Sequence, residues 1–77
     1  MAFNVLFSEE CAESFSEIAD QDVSFVIKKS ENLEAFPRIP HIKMISSFSK
    51  VYALRAGEYK ILFEVVEKDI IIKKIYQ

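Results

Sequence analysis

The only glycine of the chain, Gly57, lies between two runs of strand-forming residues, Val51 to Ala56 and Tyr59 to Val66. Glycine adopts positive φ at no steric cost, and Gly57-Glu58 suits a two-residue type II′ turn, which wants glycine at its first central position. Such a turn sets the register. Ala56 faces Tyr59, Arg55 faces Lys60, Leu54 faces Ile61 and Tyr52 faces Phe63. Side chains alternate along a strand, so Tyr52, Leu54, Ile61 and Phe63 share one face and Arg55 and Lys60 share the other. Opposed cations repel, on the order of a few tenths of a kcal/mol, and an anion between them relieves that cost.

Ile70 to Tyr76 reads as the next strand of the meander, after a turn around Glu67-Lys68-Asp69. An even-length loop there places Ile71, Lys73 and Ile75 with Leu62, Glu64 and Val66 on the Arg55–Lys60 face, where Glu64 and Lys73 can neutralise one another. Leu62, Val66, Ile71 and Ile75 make that face too apolar for free solvent. A partner chain, a homodimer mate or the proline-containing connection is expected to cover it.

Upstream, Ala2 to Phe7 reads as a short strand, with Phe3, Val5 and Phe7 alternating against Asn4 and Leu6. Ser8 is a good N-cap, and Glu9 and Glu10 complement the positive end of a helix dipole. Cys11, Phe15, Ile18 and Ala19 form one helical stripe. Asp20-Gln21-Asp22 offers a second cap, followed by Val23, Val26, Ile27, Ser30 and Leu33 as a second stripe with Phe25 at its flank. Phe3, Phe7, Phe15, Phe25 and Phe63, with Tyr52 and Tyr59, are read as core. Pro37 and Pro40 end the helices. Ile42 to Ser49 is ambiguous, its Ser46–Ser49 part reading as loop or edge. The expected fold is α+β: a hairpin of two N-terminal helices packed on one face of a small, mostly antiparallel four-stranded sheet.

Seventy-seven residues make one domain, 1–77, with 51% hydrophobic and 29% charged residues, globular rather than disordered. A domain this small buries only about 60% of its unfolded surface, so chemistry is expected on a face or in a shallow groove. One cysteine, Cys11, forms no internal disulfide, and one histidine, His41, builds no metal site alone. With no apolar run long enough to span a membrane and no signal-like start, the expected location is cytoplasmic, with no metal and no cofactor. Charge is divided. Met1 to Glu34 holds eight acids against Lys28 and Lys29, and Ala35 to Gln77 holds eight bases against four acids. The second half can therefore meet a polyanion.

The run Val51-Tyr52-Ala53-Leu54-Arg55-Ala56-Gly57-Glu58-Tyr59-Lys60-Ile61-Leu62-Phe63-Glu64-Val65 resembles the RelE/ParE toxin superfamily. So does the order of a short strand, two acidic-capped helices, a loop with Pro37 and Pro40 and the step Lys43-Met44. The resemblance implies a RelE-like toxin of a toxin–antitoxin system that cleaves mRNA on the ribosome, using the RNA's own 2′-hydroxyl and no metal. By position, Arg55 and Lys60 are then catalytic, Lys43 and Lys50 bind phosphate, and Leu62, Val66, Ile71 and Ile75 bind a partner. The implied partners are a cognate antitoxin, the ribosome and mRNA, with a homodimer through the open sheet face and no membrane. The chain departs from the family in three places. Lys60 replaces an arginine and cannot make its bidentate fork, Ala53 stands where RelE has a lysine, and no basic segment follows Ile75-Tyr76-Gln77. These departures imply weakened cleavage. The alternatives are an inactive RelE-fold binding protein or regulator, and a ParE-like toxin acting on a protein target such as DNA gyrase. In the loop, His41 offers an acid–base group but reads more simply as a surface histidine.

Overall fold

The computed structural model describes residues 2–77. Strand β1 (Asn4–Phe7) leads into helices α1 (Glu9–Phe15) and α2 (Asp20–Glu31), and a 3-10 turn (Asn32–Ala35) extends the second helix. Four strands follow: β2 (Ile42–Ser46), β3 (Val51–Ala56), β4 (Tyr59–Val66) and β5 (Asp69–Tyr76). The sheet has five strands in the order β1-β5-β4-β3-β2, antiparallel except where β1 runs parallel to β5. No helix among the described residues is long and apolar enough to cross a membrane.

Two expectations are corrected here. The sheet has five strands, not four, and the helices follow β1 rather than opening the chain. The segment Ile42–Ser46 is a true strand whose period is hidden. Ile42, Lys43 and Met44 pair with Leu54, Ala53 and Tyr52, and then a bulge sets Ser46 opposite Val51. The extra residue breaks the alternation by which a strand is recognised.

The helix-side register is as the turn dictates, from Ala56↔Tyr59 to Tyr52↔Phe63. Gly57 has φ +63°, a backbone that favours glycine, and a β-carbon there would sit 3.3 Å from Phe25 Cε2, so that ring would have to give by a few tenths of an ångström. Val26, Leu33, Ile61, Phe63, Ile70 and Ile72 are wholly buried between helices and sheet. Tyr52 stacks on Phe63 at 5.6 Å between ring centroids, and Phe36 packs edge-on against both rings. That aromatic contact pins the segment after the 3-10 turn to the sheet. Phe7 and Phe25, expected in the core, lie at its rim, 41% and 42% exposed.

The helix starts differ in mechanism. Ser8 caps α1 by accepting from the Cys11 amide at 3.1 Å, and its hydroxyl donates to the Ile72 carbonyl at 2.7 Å. α2 has no side-chain cap, because Ala19 holds that position and Asp20 and Asp22 fall inside the first turn. Burial raises the Cys11 thiol pKa above its ordinary value.

A second bulge changes the open face of the sheet. Strand β5 pairs Ile70, Ile71 and Ile72 with Val65, Glu64 and Phe63, then resumes with Lys74↔Leu62 and Ile75↔Ile61. Lys73 is the extra residue. Its insertion turns Ile75 onto the helix side, where it is 3% exposed. The expectation that Ile75 shares the open face with Leu62, Val66 and Ile71 is therefore overturned. Strict alternation would have sent Lys74 into the core, so the bulge keeps a charge out of an apolar interior.

Candidate functional site

The open face presents its side chains in rows across the strands. Lys60 pairs with Arg55 on one side and with Tyr76 on the other, and the Arg55 amide donates to the His41 carbonyl at 3.0 Å. Tyr76, Lys60, Arg55 and His41 thus lie in one line over β5, β4, β3 and the entry to β2. His41 holds a left-handed backbone, φ 68°, uncommon for a residue with a β-carbon. These four side chains, with Lys43 and Ala53, line an open cavity of about 390 Å³. Among the described residues no carboxylate lines it.

Of the residues singled out in the sequence, the cavity collects Arg55, Lys60 and Lys43. Lys50 is elsewhere. It ends the β2–β3 turn in a left-handed conformation, φ 54°. It directly precedes Val51, four residues and so about 13 Å along β3 from Arg55. Leu62 and Ile71 are half-buried on the open face and Val66 is exposed, joined by Leu6 of the neighbouring β1, which pairs with Ile71. Glu64 reaches the Lys73 ammonium at 4.0 Å, as alternation suggests.

Sequence reasoning undervalued His41 and Tyr76. His41 sits outside any strand, so parity assigns it no face, and only the amide bond from Arg55 brings it to the row. Strict alternation puts Tyr76 on the covered side, and the Lys73 bulge returns it to the open one. The signal was the adjacent pair Lys73-Lys74, one of which an unbulged strand would bury.

The arrangement is suited to phosphate chemistry. Two cations side by side can hold a phosphodiester and stabilise the added charge of a five-coordinate phosphorus. The flanking imidazole and phenol are groups able to carry protons. Among the described residues no three of His, Cys, Asp and Glu converge as metal ligands.

At the level of sequence, no family model and no curated protein matches the chain. Solved structures do. A chain of the RelBE2 toxin–antitoxin complex from Mycobacterium tuberculosis superposes with TM-score 0.84 at 14% identity, covering 100% of this chain and 99% of that one. A chain of the archaeal RelE–RelB complex from Pyrococcus horikoshii gives 0.78 at 18% identity, over 99% and 94% of the two chains. The free E. coli toxin RelE, in a substituted form, gives 0.76 at 17% identity, over 100% of this chain and 84% of that one. Since the last of these is a toxin alone, the fold shared across the whole of the present chain is the RelE toxin fold.

Proposed function

We propose that this protein is a RelE-like toxin that cleaves mRNA on the ribosome, with weakened activity, and is held in check by a cognate antitoxin. The observation that carries this reading is the line of Tyr76, Lys60, Arg55 and His41 around one concavity on the open face of a RelE fold. In the reaction, the 2′-oxygen of the RNA attacks the adjacent phosphorus, and the P–O5′ bond breaks. The 2′-hydroxyl proton leaves to a base, and a proton is delivered to O5′. Arg55 and Lys60 hold the phosphate and its developing charge, while Lys43 steadies the flanking strand. Ala53 lines the same cavity without a charge, which favours slow turnover. Leu62, Val66 and Ile71 receive the antitoxin and, without it, a second copy of the chain. The site of action is the cytoplasm, where ribosomes translate.

Primer extension on mRNA in a purified translation system tests this. Cuts within the A-site codon are expected, falling about 100-fold or more in Lys60→Ala or Arg55→Ala, the usual effect of removing one transition-state charge contact. No cuts from folded protein would leave the inactive binding-protein reading, favoured by Ala53, in its place.

A further inference from the structure

The turn joining β2 to β3 carries Phe48 with 97% of its surface exposed. An aromatic ring in water at the tip of a hairpin contributes nothing to the core, and both of its faces are free to meet another molecule. The turn is held in shape. The Ser49 amide donates to Ser46 Oγ at 3.2 Å, and the Val65 amide donates to the Lys50 carbonyl at 3.0 Å, fixing the turn's end to β4. The choice between an RNA and a protein partner is decided by charge. From Ala35 to Gly57 there is no aspartate or glutamate, while Arg38, Lys43, Lys50 and Arg55 are all basic. Ser46, Ser47 and Ser49 flank Phe48 along the chain. In a chain of net charge −2 this stretch is the part built to meet a polyanion. An exposed ring with a lysine two residues away is also a pairing by which single-stranded nucleic acid is held, base on ring and phosphate on lysine.

The geometry points to a second RNA subsite at this hairpin tip, where Phe48 stacks on an unpaired base and Lys50 holds its phosphate, just beyond Val51, which is itself about 13 Å along β3 from Arg55. It rests on the reading of this protein as RNA-acting and adds to it a place where the strand is gripped away from the bond that breaks. Lys43 lies between the two places, its side chain in the cavity and its strand leading to the turn.

The chain contains no tryptophan, so Phe48→Trp installs a single reporter. The probe is a 2′-O-methyl oligoadenylate hexamer, which cannot be cleaved. Indole emission is expected to be quenched as the hexamer binds and unchanged with polyphosphate, which has the charge but no bases. Phe48→Ala is expected to weaken hexamer binding about 5- to 150-fold, the range for one stacked base. Lys50→Ala is expected to weaken it and to lower the slope of log affinity against log salt by about 0.7. Both substitutions lie on exposed residues, and an unchanged urea midpoint will show that folding is intact. Unquenched emission together with full affinity in Phe48→Ala overturns the subsite and leaves the ring to a protein contact. The two readings separate cleanly. Quenching without mRNA cleavage keeps the subsite and removes the nuclease, whereas cleavage with an indifferent Phe48→Ala does the reverse.

Discussion

Tyr59 closes the hairpin turn and ties it to the helical layer, its hydroxyl donating to the Asp22 carboxylate at 2.8 Å. That hydrogen bond, with burial and the Asp22 charge, raises the phenol pKa above its ordinary value near 10. A pKa raised by folding contributes stability that is fully present below the unfolded value and is lost as pH rises through the folded one. Tyr59→Phe is therefore expected to lower the urea midpoint between pH 7 and 9, and the gap from the wild-type protein should narrow above about pH 10. A gap that stays constant to pH 11 would show that the hydroxyl's partner is not Asp22. Sequence parity placed Tyr59 in the core, and it is 7% exposed. Its partner was out of reach of that reasoning, because a bond across 37 residues of chain depends on how α2 lies over the sheet.

Among the elements, β5 departs most from what its residues suggest in isolation. The bulge at Lys73 separates Ile70-Ile71-Ile72 from Ile75-Tyr76 and reverses the faces of everything beyond it. This makes a sharp prediction. Deleting Lys73 restores strict alternation with Lys74 outward, Ile75 inward and Tyr76 outward, so the fold should survive with a change of about 1 kcal/mol or less, the order of a surface ion pair. Ile75→Lys places a charge in an apolar core and should cost about 3 kcal/mol or more, while Ile71→Lys on the open face should cost far less. Chemical denaturation of the three variants checks this, and an unfolded Lys73 deletion would contradict the bulge. Strand β2 carries the same lesson. Its bulge hid the strand, whereas β3 and β4 were readable because Gly57 sets a two-residue turn and the pairing beyond it is uninterrupted.

Across the whole molecule, charge follows layer. The acidic first half supplies both helices, and the basic second half supplies four of the five strands. A pI near 5.3 suggests a poor nucleic-acid binder, yet the basic open face is separated from the helical acids by the sheet itself. RNA affinity should accordingly depend steeply on salt. With about three or four phosphate contacts at a slope of about −0.7 each, affinity should fall about 20- to 50-fold between 50 and 200 mM salt. Fluorescence anisotropy of a labelled oligonucleotide measures this, and a flat response would mean that the open face does not bind phosphate. The sequence by itself determined the Gly57 hairpin, its register, the Ser8 cap and the pairing of Arg55 with Lys60, because each follows from local conformational preference or from counting along adjacent strands. The tertiary structure alone decided the fifth strand, the burial of Ile75 and the meeting of His41 and Tyr76 with the two cations. Those depend on bulges and on a cross-strand amide bond, and a bulge is selected by the free energy of keeping a lysine out of a core that exists only once the chain has folded.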